Sequence, residues 1–189
     1  MPQRSNRSQL IEGTLRCLER LPPEQITARV IAEESGANLA SITYHFGSKD
    51  NLVTAAVIEG LDRWLAEIAA ALADVAPQPV ATRFARATRA VESTQRRHAG
   101  LARSFVIALA RAQHDDQVRA LLANGFHRSR PELAAVLELG DDQPGQDAAG
   151  LVLALFHGLM LQALLEPTLA IEGDRMPRAQ ARLRTLLPG

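Results

Sequence analysis

Cysteine is nearly absent from this sequence. Cys17 is the one thiol in 189 residues, which excludes an internal disulfide framework, offers no cysteine-rich metal site and suits a reducing compartment. Aromatic residues make up only 4% and β-branched residues are sparse, whereas the strong helix formers Ala, Leu, Arg and Glu are abundant. An all-α protein is the expectation. Net charge is absent as well: 21 basic and 21 acidic side chains balance, which argues against a protein that coats nucleic acid indiscriminately. The stretch MPQRSNRSQ is basic, but no apolar run of signal-peptide length follows it, so a cytoplasmic location is expected. Lysine is the most telling scarcity. Lys49 stands alone against 20 arginines, one residue after a potential helix cap, where a strongly hydrated point charge can meet a phosphate.

The charge that is present is unevenly spread. Residues 83–130 hold ten arginines against three acids, and residues 131–174 hold eight acids and no basic residue. Such adjacent blocks read as solvated faces, as helices lying against each other with the charges flanking the contact, or, for the basic block, as a further DNA contact. Breaker residues divide the chain into about nine helical segments. Leu10, Ile11, Thr14, Leu15 and Leu18 give residues 8–20 one apolar face, ended by Leu21-Pro22-Pro23. Two short helices follow within 27–46. A longer helix over 48–73 aligns Leu61, Trp64, Leu65, Ile68 and Leu72. Further helices are expected at roughly 80–96, 100–113, 116–138, 146–166 and 177–187, with breaks near Gly100, His114, Gly140 to Gly145 and Glu166 to Arg175.

Residues 28–47 meet the physical requirements of a helix-turn-helix. Ala32 is small where two helices must cross, Gly36 can take a left-handed turn conformation, and Ile42 supplies an apolar anchor back to the first helix. Ile31 and Phe46 would complete the small core, and Asn38 can cap the second helix. Ala40, Ser41, Thr43 and Tyr44 then point away from that core, towards a groove. The same spacing would also suit a purely structural hairpin.

From Ile31-Ala32-Glu33 through Ser35-Gly36-Ala37 to the run Ile42-Thr43-Tyr44-His45-Phe46-Gly47-Ser48-Lys49-Asp50-Asn51-Leu52, the sequence resembles the DNA-binding domain of the TetR family of transcriptional regulators. The match covers about a quarter of the chain, with YHFGSK its most distinctive part. It implies an N-terminal three-helix DNA-binding domain over 1–50, and a larger helical bundle over 51–189 for dimerisation and effector binding. Double-stranded operator DNA, a second copy of the chain and a small-molecule effector are the implied partners. Thr27 would cap a helix and meet a phosphate, and Arg29 matches a position that reaches base edges or backbone, where guanidinium can fork onto guanine. A surface pair with Glu33 on its own helix is the competing role for Arg29. Asn38, Leu39, Ala40, Ser41 and Thr43 would occupy the recognition face, while Tyr44, His45 and Lys49 would meet the backbone. His45 packed against its own helices is the competing role. Arg4 and Arg7, on a flexible arm, would add nonspecific attraction. Many members carry tyrosine where Thr43 stands and a polar or basic residue near Leu39, so long donors are fewer here.

From Ala148 to Leu165 only His157 and Gln162 interrupt 18 apolar residues, a length that raises a membrane span. Asp147 and Glu166 flank it without a basic anchor, and Gly150, Ala154 and Gly158 recur every four residues, which favours a buried soluble helix and no membrane. Gly150, Leu153, Ala154, His157, Gly158 and Leu161 are candidates for a dimer interface, packing with a closing helix around Leu183, Leu186 and Leu187. Burial within one subunit is the alternative. Trp64, Phe84, Phe105, Phe126, His157, Met160 and Gln162 are candidates for a mainly apolar effector pocket, or ordinary core. No HExxH pairing, phosphate loop or nucleophile motif supports an enzyme, and neither metal nor cofactor is expected. The alternative to a DNA-binding regulator is a helical protein-interaction module that keeps the helix-turn-helix shape.

Overall fold

The computed structural model describes residues 6–73, 79–95 and 97–185. Among them the chain is all helical, in the order α1 (Asn6–Arg20), α2 (Ala28–Ser35), α3 (Ala40–Phe46), α4 (Lys49–Ala73), α5 (Val80–Thr94), α6 (Ala99–Arg111), α7 (Asp116–Leu137), α8 (Gln143–Leu165) and α9 (Arg175–Leu183), with short 3-10 turns at Pro23–Gln25 and Pro167–Leu169. The described residues form two compact units, one within Met1–Ala66 and Arg96–Ser129, the other within Glu67–Gln95 and Arg130–Gly189.

In the first unit, α1 buries Leu10, Ile11, Thr14 and Leu18, as anticipated from its periodicity, together with Gly13 and Cys17, while Leu15 of the expected face is half-buried; the helix packs on α2, α3 and α6. Thr14 tolerates full burial because its hydroxyl donates to the Leu10 carbonyl at 2.7 Å. Burial also pushes the Cys17 thiol pKa upwards, so the thiol stays protonated at neutral pH. Ile31, Ile42, Phe46, Leu52, Val57, Leu101, Phe105 and Val118 complete the core. Helices α1 and α2 approach closely at Gly13 and Ser35. A Cβ built on Gly13 would lie 2.6 Å from the Cβ of Ser35, so glycine is what lets these backbones meet. The break expected near Gly100 falls between α5 and α6, and Gly100 itself lies in the first turn of α6, where an added Cβ would collide with the Leu18 carbonyl oxygen.

The second unit is built around Leu72, Ala87, Thr88, Leu133, Ala134, Leu137, Ala149, Met160 and Met176. The Arg83 guanidinium donates to the Val136 carbonyl at 2.7 Å and pairs with Glu138 at 2.9 Å, satisfying the end of α7. This pair joins the basic and acidic blocks, whereas Arg111 and Arg128 reach α4 instead, at Asp50 and Asp62. Helix α8 starts at Gln143, three residues earlier than expected, because the Asp142 side chain accepts from the Gly145 amide at 3.0 Å and Pro144 fits the first turn. Within the chain α8 buries only Gly145, Ala149 and Met160 among its described residues. Leu151 and Leu165 are each 75% exposed, so burial of this helix inside one subunit is not what the structure contains.

Candidate nucleic-acid interface

Two short helices present the candidate face, and their ends are fixed by local chemistry. Thr27 caps α2, its hydroxyl accepting from the Val30 amide at 3.2 Å. Gly36 ends α2 with φ of +65°, a conformation costly for a side chain with a Cβ. The Asn38 carbonyl oxygen of the side chain then accepts from the Ala40 amide at 2.9 Å, the capping role expected of it. Ile31, Ile42 and Phe46 turn inward as anticipated. Glu34 locks α2 to α1: it accepts from the Arg16 Nε at 2.6 Å and pairs with Arg20, and these cations hold its carboxyl below the usual range, the Arg16 hydrogen bond first among the causes.

What remains outside is the opposite face. Thr27, Arg29, Asn38, Leu39, Ala40, Thr43 and Tyr44 are exposed, Leu39 to 50% and Tyr44 to 84%. Among the described residues Arg29 has no ion pair with Glu33, leaving its five donors available. Ser41 is half-buried, within 3.5 Å of the Asn6 amide nitrogen. His45 is half-buried with its ring edge-on to Tyr44 at 4.8 Å. Arg7 does not belong to a flexible arm: it lies in α1, its guanidinium 5.2 Å from the centre of the Phe46 ring. Arg4 lies outside the described residues.

The start of α4 is held from both sides. Ser48 accepts from the Asn51 amide at 3.1 Å, confirming the cap ahead of Lys49. The Lys49 ammonium is not free: it pairs with Asp50 at 2.9 Å, and the other oxygen of Asp50 pairs with Arg111 at 2.9 Å. Asn51 was missed by the sequence reading. It is 7% exposed, and its amide donates to the Phe46 carbonyl at 3.0 Å and to Gln117 at 2.9 Å. Asn51, Thr54 and Ile58 share one buried face of α4, so a helical wheel flags Asn51 as a polar residue on an apolar stripe. Gln117, 66 residues on, left no comparable signal.

The candidates for an effector pocket divide between the two units. In the first, Trp64 packs on the His98 ring at 4.7 Å, and Phe105 and Phe126 meet at 6.2 Å. In the second, the Phe84 and Phe156 rings lie 6.1 Å apart, Met160 is buried, Gln162 is exposed, and burial pushes the His157 pKa down. A cavity of about 150 Å³ in the first unit is lined by Leu15, Leu18, Gly60 and Leu101 with Glu12 and Arg63 at its polar side, and by none of these candidates. Of the dimer candidates, Gly150, Leu153, His157 and Gly158 are half-buried and Ala154, Leu161 and Leu183 exposed; Leu186 lies outside the described residues.

Two capped helices around a left-handed glycine, with an exposed polar face and a cation at the next helix start, define a helix-turn-helix DNA-binding protein. Residues 10–56 match the family described as bacterial regulatory proteins, tetR family. This part of the chain is thus similar to the DNA-binding domain of tetR-family regulators. Among solved structures, it is similar to one described as a transcriptional regulator from Pseudomonas aeruginosa PAO1, with 25% identity, 95% of this chain and 89% of that one covered, and a TM-score of 0.66. The fold is shared with the multidrug binding protein EbrR complexed with imidazole (23% identity, 99% and 92% covered, TM-score 0.66). It is shared too with a regulator from Saccharomonospora viridis in complex with choline (22%, 87% and 88%, 0.60). No curated protein matches the chain in sequence.

Proposed function

We propose that the protein is a homodimeric, cytoplasmic repressor that binds a double-stranded operator and is released by a small, mainly hydrophobic effector. The observation that carries this reading is the bare outer face of α2 and α3, where Tyr44, an amphipathic ring on a seven-residue helix, is 84% exposed beside the exposed Arg29, Ala40 and Thr43. Arg29, Ser41 and Thr43 are assigned to base edges, Leu39 and Ala40 to apolar contact such as a thymine methyl, and Thr27, Asn38, Tyr44, His45 and Lys49 to positioning on the backbone. Residues 1–50 would carry this work and residues 51–189 dimerisation and effector binding.

A second copy is the natural cover for α8. Its exposed Leu151, Leu155, Leu161 and Leu165, with Gly150, Ala154 and Gly158 allowing close backbone approach, support an intersubunit bundle completed by α9 near Leu183. Two recognition helices would then address half-sites a helical turn or more apart. The effector is proposed to sit in the second unit near Phe84, His157 and Met160, whose surroundings are mainly aliphatic. It would act by population shift, favouring a geometry in which α4 holds the recognition helices at the wrong separation. Linkage then demands that operator lowers effector affinity by the same factor. Selection from a randomised duplex pool at low salt tests the reading. Enrichment of a two-fold symmetric sequence is the expected result, and failure to retain any duplex would overturn it.

A further inference from the structure

The chain of contacts behind Lys49 runs out of the DNA-binding head. Asp50 uses both carboxylate oxygens on cations, Oδ1 on Lys49 and Oδ2 on Arg111, each at 2.9 Å. Arg111, the last residue of α6, also pairs with Asp115 at 3.2 Å, and Asp115 caps α7 by accepting from the Gln117 and Val118 amides at 3.0 and 3.1 Å. Gln117 in turn accepts from the buried Asn51 amide, which also donates to the Phe46 carbonyl at the end of the recognition helix. The corner between α6 and α7 thus grips both the phosphate anchor and the recognition helix, through separate side chains of one compact unit.

We propose that Arg111 and Gln117 are positioning residues for operator binding, acting through Asp50 on Lys49 and through Asn51 on α3. This rests on the regulator reading above. The physical reason for the first arm is charge compensation. When a phosphate draws the Lys49 ammonium away, Asp50 would face the DNA as a bare anion unless Arg111 already neutralises it. Arg111 therefore makes the transfer of Lys49 from carboxylate to phosphate less costly. The second arm is geometric: the Asn51 amide stays aligned on the Phe46 carbonyl only while Gln117 takes its other hydrogen.

The experiment measures affinity of the full-length protein for its selected operator across a salt series. Arg111→Ala is expected to weaken binding about fivefold, the scale of one partly exposed ion pair, and to make the slope of log affinity against log salt shallower by about one. Arg111→Lys should restore most of the loss. In an Asp50→Asn background, where no anion is left to neutralise, Arg111→Ala should change nothing further, whereas Gln117→Leu, which acts on α3, should still weaken binding there. Thermal melting of each variant shows that the folded fraction is intact. Equal losses from Arg111→Ala with and without the Asp50 carboxylate, or wild-type affinity in both Arg111→Ala and Gln117→Leu, would overturn the proposal while the regulator reading stands. A wild-type protein that binds no duplex would overturn both.

Discussion

Gly13 and Ser35 meet so closely that a methyl group on Gly13 would lie 2.6 Å from the Ser35 Cβ and 2.7 Å from its Cα. The obstacle is backbone as well as side chain, so no rotamer change relieves it. Gly13→Ala is expected to cost about 1–3 kcal/mol, typical of forcing a methyl group into a packed contact. Urea denaturation checks the loss. Because α1 supports both α2 and α3, operator affinity should fall with it.

Lys49→Ala and Arg29→Ala should fail differently. With Lys49 on a phosphate, as proposed, its loss should weaken binding about equally on all sequences and lower the salt slope by about one. Losing Arg29 should relax preference at one base position, by about 1–3 kcal/mol of discrimination if its contact is bidentate. Competition with single-position operator variants separates the two, and a uniform loss for Arg29→Ala would remove it from the readers of sequence.

Acid should loosen the contact of α1 with α2. The Glu34 carboxyl is held below its ordinary pKa by Arg16 and Arg20, so its contribution is complete above that ordinary value, about 4.3, and is lost as pH falls through the depressed one. Glu34→Gln should flatten the acid limb of a stability-against-pH curve without changing it near neutrality in shape. His157 acts with the same sign at higher pH: burial lowers its pKa, so stability gained by keeping it neutral declines as pH drops below about 6.5. His157→Gln should remove that decline.

Helix α8 offers a test of the dimer that does not depend on DNA. Among the described residues, a Cβ on Gly158 would meet no atom within 4 Å beyond its own stretch of helix, so Gly158→Ala should stabilise the isolated helix by up to about 1 kcal/mol. If a second copy packs there, the same methyl group should weaken association. Leu151→Arg, on a side chain 75% exposed, should break the dimer outright in sedimentation equilibrium. Dimers unaffected by either change would place the interface elsewhere.

Much of this molecule was legible in its sequence, for reasons that are local. Thr27, Gly36, Asn38 and Ser48 act through atoms a few residues away, so capping and turn chemistry announces them. Ile31, Ile42 and Phe46 follow from helical periodicity. The contacts that escaped are long-range ones. Gly13 against Ser35, Gly100 against Leu18 and Asn51 with Gln117 depend on where helices cross, which no spacing encodes. The break near Gly100 was legible but the role of Gly100 itself was not, since a glycine chosen for close approach looks in sequence like one chosen for a turn. Arg7 shows the reverse error: its basic neighbourhood suggested an arm, while the Phe46 ring beside it draws it into α1.

The bare leucines of α8 have a further consequence, which concerns amount rather than contact. If a second copy covers this helix, as proposed, the stability of the protein would carry a term in its own concentration. Each tenfold dilution would then remove about 1.4 kcal/mol from the dimer relative to separated chains. Operator occupancy would rise with roughly the square of protomer number at low abundance. A cell could then silence or release the regulated promoter by changing how much of this protein it makes, with no effector present at all.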